Sequence, residues 1–298
     1  MFDARLGIKL INMPSLAPTR IGGRCFKWGE RTYVMGVLNV TPDSFSGDGV
    51  ARNLDTAVEQ ALRFQAEGAD IIDVGGESTR PASIYSGAEP ITAEEELTRV
   101  IPVIEALSHV LKIPVSVDTY KAEVAREALR AGAAMINDVW GFRRDPEIAR
   151  VAADAGVPVV LMHNQKHTRY GDLVPDVIGE LGKMVKTAVA SGVEHRNIVV
   201  DPGMGFGKTA EHNLEILRRL DELRALGSPI LVGMSRKSTI GYVLGLPVGE
   251  RLEGTAATVA LSVAFGADVV RVHDVREMVR VARMSDAVVR GWSQDDAQ

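Results

Sequence analysis

The chain has 298 residues, 46% of them apolar and 24% charged, with 34 Lys plus Arg against 39 Asp plus Glu. These proportions exclude a disordered, collagen-like or disulfide-scaffold protein. The net charge of −5 excludes a whole-surface basic field, so neither nucleic acid nor an anionic membrane is an expected partner.

Cys25 is the single cysteine, which allows no internal disulfide and no cysteine-based metal site and fits a reducing, cytoplasmic setting. The segment MFDARLGIKLINMPSLAPTR lacks a long apolar stretch with a small-residue cleavage site. No run approaches the ~18 apolar residues of a membrane span. The next segment, RCFKWGERTYV at residues 24–34, reads as two short strands about a Gly-containing turn, hence a hairpin.

After it, short β-branched runs recur: YVMGVLNV, DIIDVGG, PVSVDT, AAMINDV, PVVLMH, NIVVDPG, PILVGMS and DVVRVHD. They do not alternate polar with apolar residues, so they read as parallel strands covered on both faces. Helical signals fill the gaps. Thr92-Ala-Glu-Glu95 is a capping-box match, Asp145 precedes a first-turn Pro146, and Asp274 stands three residues before Glu277. Helix exits recur as EGAD, RAGA, DAGV, ASGV, ALGS and FGAD, each with a glycine suited to the left-handed position.

The order predicts an α/β fold, a (β/α)8 TIM barrel over residues 33–292. An N-terminal extension and hairpin over 1–32 would close the barrel bottom, and 293–298 would be a frayed tail. A doubly wound open sheet needs two edges, and no run has the charged character of an edge strand.

In such barrels the C-terminal strand ends build the active site. Those ends carry Asn39, Asp73, Asp118, Asn137 with Asp138, His163, Asp201, Ser235 with Lys237, and Arg271 with His273. A helix cap or a turn would explain any one of them. A whole rim of carboxylates, amides, imidazoles and cations is costly to desolvate unless it binds something. The Ser235–Ser238 and Arg271–His273 segments fall where barrels often bind phosphate, and Ser238 is placed to cap the next helix. DPGMGFGK at 201–208 is one residue short of Walker A spacing, which excludes a nucleotide-triphosphate loop. Long Gly- and Ser-rich loops follow the first and second strands, at 41–49 and from 75 to about 90, and read as lids.

The ordered motifs MGVLNVTPDSFS, GADIIDVGGESTRP, VSVDT, MINDVWG, LMH, DPGMGFGK, GMSRKS and RVHDV, between Tyr33 and Met284, resemble the dihydropteroate synthases of the pterin-binding family. The resemblance implies a transferase of folate biosynthesis that joins 6-hydroxymethyl-7,8-dihydropterin diphosphate to p-aminobenzoate. It implies a pterin site of Asp118, Asn137, Asp201, Lys237 and Arg271. A diphosphate site would comprise Asn39, Thr79, Arg80, Arg271 and His273, with the Asn39 amide oxygen touching Mg2+. The p-aminobenzoate site would comprise Phe45, Arg80, Pro81, Phe206, Lys237 and Ser238. Asp43, Lys237 and Arg271 would serve the chemistry, Asp43 by stabilising developing positive charge. The resemblance further implies a homodimer and sulfonamide binding. Two lid sequences depart from the usual pattern: SFSGDG leaves the placement of Asp48 open, and RPA stands where RPG is usual.

Three other readings share parts of this pattern. A pterin-binding methyltransferase would use the same pterin edge without the Arg271/His273 site. A Schiff-base aldolase would use Lys237. A non-catalytic pterin-binding module would leave the diphosphate residues unexplained.

Overall fold

The computed structural model describes residues 16–40, 50–77 and 90–292, with the backbone alone at 50–53. It opens with a two-stranded antiparallel hairpin, β1 (Thr19–Ile21) and β2 (Arg24–Phe26), turning at Gly22 and Gly23. This corrects the expected hairpin over 24–34. The turn around Gly29 instead leads into the first barrel strand, β3 (Tyr33–Asn39), where Tyr33 and Val34 pair in parallel with Val269 and Val270. Six of the seven β3 residues are buried, which a free hairpin arm would not achieve.

The further barrel strands are β4 (Ile71–Gly75), β5 (Val115–Asp118), β6 (Met135–Asp138), β7 (Val159–Met162), β8 (Ile198–Asp201), β9 (Leu231–Val232) and β10 (Val269–Val272). All pair in parallel, in the order β8-β7-β6-β5-β4-β3-β10-β9. A parallel bridge from Val200 to Ile230 joins the two ends of that order, so the sheet closes into a barrel and the open-sheet alternative fails. Around it lie α1 (Val50–Glu67), α2 (Ala93–Val110), α3 (Ala122–Arg130), α4 (Glu147–Ala155), α5 (Leu173–Ala190), α6 (Ala210–Arg218), α7 (Ser238–Leu244), α8 (Leu252–Ala264) and α9 (Val275–Arg290).

Two cores result from the two faces of the strands. The larger lies between the outer strand face and the helices, and includes Val34, Leu38, Ile72 and Val74. The smaller is the barrel bottom, where Ile21, Phe26 and Trp28 pack on Tyr33, Met35, Ile71, Met135 and Val199. Trp28 Nε1 donates to Thr19 Oγ1 at 2.9 Å, and Lys27 N donates to the Tyr33 hydroxyl at 2.8 Å, so the polar handles of the plug are satisfied. With the bottom filled, an open cavity inside the barrel can form only at the C-terminal strand ends.

The expected helix boundaries follow local chemistry. The glycines of the six helix exits all have positive φ, between 64° and 111°. Thr92 and Glu95 form the capping box reciprocally, each bond 3.1 Å long. Asp145 does more than expected: Oδ1 accepts from Glu147 N at the start of α4, and Oδ2 accepts from Ala122 N at the start of α3. Asp274 does not cap α9. Its carboxylate instead takes Arg236, with Arg236 Nε donating at 2.9 Å. A charge-assisted bond to a guanidinium outcompetes the weaker local cap.

Candidate functional site

Strand alternation decides which of the end residues face inward. Asp118 from β5, Asn137 from β6, Asp201 from β8 and Arg271 from β10 line one cavity at the barrel mouth. The loop residues Phe206, Ser235, Lys237 and His273 complete its wall. Asn137 is 3% exposed, Asp118 8% and Asp201 6%, so these are groups removed from bulk water.

Their partners are specific. Arg271 Nη2 donates to Asp118 Oδ2 at 2.8 Å, and Arg271 Nε donates to Asp73 Oδ2 at 2.6 Å. Asn137 Nδ2 donates to the same Asp73 oxygen at 2.9 Å. Asp201 Oδ1 accepts from Gly203 N at 2.7 Å. Lys237 donates to the Met204 carbonyl, and its ammonium lies 4.7 Å from the centroid of the Phe206 ring. Ser235 Oγ supports His273, lying 3.0 Å from Nδ1 and accepting from the His273 backbone N–H.

Burial raises the Asp118 pKa against the pull of Arg271, and Asp73, Glu96 and Asp138 push the same way as burial. Asp201 is also raised by burial, opposed by Lys237, the Gly203 N–H and Lys208. Burial works against the charge of Arg271, yet Asp73 and Asp118 together hold its pKa above the usual value. The cavity thus offers carboxylate and amide acceptors with fixed cations beside them. That is complementary to a flat heterocycle carrying N–H donors on one edge and a carbonyl on another.

Asn39 ends β3, half-buried, and lines a second, polar cavity with Arg63, Arg236 and Arg276. His273 borders both cavities, so the Asn39 and Arg271 regions meet at that imidazole. Arg236 has a positive φ of 57°, a rare conformation for a side-chain-bearing residue. The bend that directs Lys237 toward the cavity is held by Thr255 Oγ1 on the Arg236 N–H and by Asp274 on its guanidinium. Asp43, Phe45, Thr79, Arg80 and Pro81 lie outside the described residues, as does Asp48.

Not every strand-end residue joins the cavity. Asp138 Oδ1 and Oδ2 accept from Trp140 N and Phe142 N, fixing the turn after β6. His163 turns away and is 1% exposed, with Lys208 Nζ 2.9 Å from its Nδ1. Ser238 does not cap α7. Lys237 holds the cap position, and Ser238 is already the first helical residue.

Asp73 and Lys208 carry more of the arrangement than their sequence positions announce. Asp73 sits two residues inside β4, and the signal for it is a charged residue within a run that is otherwise apolar. Lys208 is 6% exposed and donates to the Phe206 carbonyl at 3.0 Å, fixing the loop whose Phe206 ring faces Lys237.

Burial, reinforced by Lys208 and Arg143, pushes the His163 pKa down to about 3. When Lys208 is an ammonium it has only hydrogens to give Nδ1, which puts the proton of the neutral ring on Nε2. An unfolded chain binds a proton at His163 below pH ~6.5, whereas the folded chain resists it to about 3. Stability from this group is therefore complete above about pH 6.5 and declines as pH falls toward 3. His163→Gln is expected to flatten the acid limb of melting temperature against pH in that window. A variant with an unaltered slope contradicts this account.

Among the described residues no three His, Cys, Asp or Glu side chains are grouped to hold a metal ion. The groups lining the Asn39 cavity are the Asn39 and Gln60 amides, the His273 imidazole, whose Nδ1 is taken by Ser235, and the carboxylates of Glu67, Asp274 and Glu277, beside three guanidinium groups. That set fits a hard, hydrated divalent cation carried in by a diphosphate and touched by one amide oxygen, as Mg2+ commonly is, rather than an all-protein cage.

The profile of the family described as "Pterin binding enzyme" matches residues 35–273. The dihydropteroate synthase of Clostridium beijerinckii is 51% identical over 272 residues, covering 91% of this chain and 99% of that protein. A solved Clostridium difficile dihydropteroate synthase, with pteroic acid present, is 52% identical with a TM-score of 0.85, covering 88% of this chain and 98% of its own. The Xanthomonas albilineans dihydropteroate synthase with 4-aminobenzoic acid is 43% identical with a TM-score of 0.86, covering 92% of this chain and 98% of its own.

Proposed function

The chain belongs to the dihydropteroate synthases of the pterin-binding enzymes, transferases of folate synthesis that join a dihydropterin diphosphate to p-aminobenzoate, and on that premise we propose how its barrel mouth does so. One observation carries the proposal: the acceptors Asp118, Asn137 and Asp201 and the cations Lys237 and Arg271 converge on one cavity that His273 links to Asn39.

The pterin lies in that cavity with its N–H and amino donors on Asp118, Asn137 and Asp201. Lys237 donates to the ring carbonyl side, held in place by Met204 and Phe206. The diphosphate extends from Arg271 past His273 toward Asn39, where Arg63, Arg236 and Arg276 stand beside the carboxylates of Glu67, Asp274 and Glu277. Bound Mg2+, touching the Asn39 amide oxygen, would supply further neutralisation of the leaving diphosphate. The C–O bond at the pterin methylene opens as charge gathers on the diphosphate oxygens, and the conjugated ring spreads the positive charge left behind. The aniline nitrogen of p-aminobenzoate, lying against Phe206 and Lys237 with its carboxylate toward Ser238, attacks the methylene and then loses a proton. No covalent enzyme intermediate is required. Asp43, Phe45, Thr79, Arg80 and Pro81, outside the described residues, are assigned to contacts with the two substrates, and a sulfonamide would take the place of p-aminobenzoate.

We assign the chain to the cytoplasm, supported by its single exposed thiol, Cys25, and by the absence among the described residues of any helix long and apolar enough to cross a membrane. We also assign it a homodimeric state. Tyr242, Val243, Leu244, Val248 and Leu261 form exposed apolar surface on and around α7 and α8, on the outside of the barrel. Sedimentation equilibrium of Leu261→Glu against the unaltered chain tests that state.

Purified protein with Mg2+, the dihydropterin diphosphate and p-aminobenzoate is expected to release diphosphate and dihydropteroate in equal amounts. Omitting p-aminobenzoate should stop dihydropteroate formation. No dihydropteroate with both substrates present overturns the reading.

A further inference from the structure

Asp73 lies on the inward face of β4, two residues beyond Ile71 of the bottom plug, and is fully buried. It stands beneath the cavity wall rather than in it. Its Oδ2 receives both Arg271 Nε at 2.6 Å and Asn137 Nδ2 at 2.9 Å. Two residues that contact the pterin are thus held by a carboxylate that does not line the cavity.

Arg271 has a second attachment. Its Nη2 donates to Asp118 Oδ2 at 2.8 Å, one of the oxygens that a pterin N–H would use. Of the remaining oxygens, Asp118 Oδ1 on the cavity wall is buried with no hydrogen-bond partner. Buried acceptors without donors are costly, so the arrangement favours a ligand that brings N–H groups. As a pterin donates to Asp118 and shares its charge, the Nη2 bond to Oδ2 weakens while Nε keeps its bond to Asp73. Asn137 has one amide hydrogen committed to Asp73, which leaves its oxygen and second amide hydrogen for the pterin.

We propose that Asp73 is a positioning residue for the transfer. It is the pivot that keeps Arg271 on the barrel floor through Nε while Nη2 passes from Asp118 to the substrate, and it fixes which way the Asn137 amide faces. Pterin binding and delivery of the guanidinium to the leaving group then become one event. The proposal rests on assigning the cavity to the pterin.

Asp73→Asn tests it, because the shape and an acceptor oxygen remain while the charge is removed. The expected result is about tenfold weaker binding of 6-hydroxymethylpterin by calorimetry and a kcat lower by about tenfold or more, with the KM for p-aminobenzoate unchanged. In an Arg271→Lys background the same substitution should change kcat by less than about twofold, since the two residues act as a unit. Full additivity, or normal kcat and pterin affinity in the folded fraction with only a lower melting temperature, overturns it.

A measurement on the unaltered protein stands beside this. The Arg271 15Nε–H resonance, identified by its absence from Arg271→Lys, should stay protected from solvent exchange with and without 6-hydroxymethylpterin. Loss of protection on binding overturns the pivot. Failure of the unaltered protein to bind the pterin overturns the cavity assignment instead, a result separable from a normal Asp73→Asn variant.

Discussion

Asp201→Ala is expected to weaken pterin binding by roughly a hundredfold, about 3 kcal/mol, in calorimetric titration with a pterin. The size follows from what the carboxylate leaves behind. Asp201 closes β8, and one oxygen already accepts from Gly203 N while Lys237 and Lys208 offset the cost of burying its charge. On the proposed placement, removing it leaves the pterin without this acceptor, the Gly203 N–H without its partner, and the charge of Lys237 with less compensation. Asp201→Asn should fall between the two, because its oxygen can still accept from Gly203. A pterin affinity unchanged in Asp201→Ala would remove Asp201 from the site.

Gly203→Ala is expected to cost on the order of 4 kcal/mol or more, seen as a melting temperature about 10 °C lower, with loss of transfer activity. Gly203 has a φ of +69°, and a Cβ there would stand 1.8 Å from the His163 carbonyl oxygen. That oxygen belongs to the main chain just after β7, so it cannot swing aside like a side chain. The neighbouring bond from His163 N to the Asp201 carbonyl would have to yield with it. Gly156→Ala provides the comparison, with a φ of +64° and open space around the added methyl. It should cost only about 1–2 kcal/mol, the conformational part alone. Equal losses at the two positions would show that the close approach at Gly203 is not the cause.

The same loop explains why its glycines resemble a phosphate-binding motif without being one. Gly203 and Gly207 both have positive φ, and a Cβ at Gly207 would stand 2.3 Å from the Gln165 carbonyl oxygen. These glycines let the loop after β8 lie against the loop after β7, which sets the height of Phe206 and the burial of Lys208. Spacing alone rules out Walker A. It does not reveal that the pressure for glycine comes from a neighbouring chain segment.

The helix caps separate along the same line. Thr92 with Glu95 acts locally and forms as its spacing predicts. Asp274 has an equally good local position, yet Arg236, 38 residues away in sequence, takes its carboxylate. Ser238 has the right residue type for a cap, but the positive φ of Arg236 moves the cap position to Lys237. The early hairpin shifts for a related reason: the last two residues of RCFKWGERTYV, Tyr33 and Val34, are claimed by pairing with β10, more than 230 residues further along.

By itself the sequence determined the barrel class, since repeated two-face-buried strands and glycine-ended helices are local patterns that need no tertiary information. It also determined which strand ends carry polar groups. Only the tertiary structure decided which of them converge. Inward and outward directions alternate every residue, so Asn137 enters the cavity while adjacent Asp138 braces a turn, and His163 is buried against Lys208 away from it. It also brought Asp73, Asp118, Asn137 and Arg271 together from four different strands. The physical reason is that desolvated charges must find partners across the barrel, and closure of the sheet determines which partners are within reach.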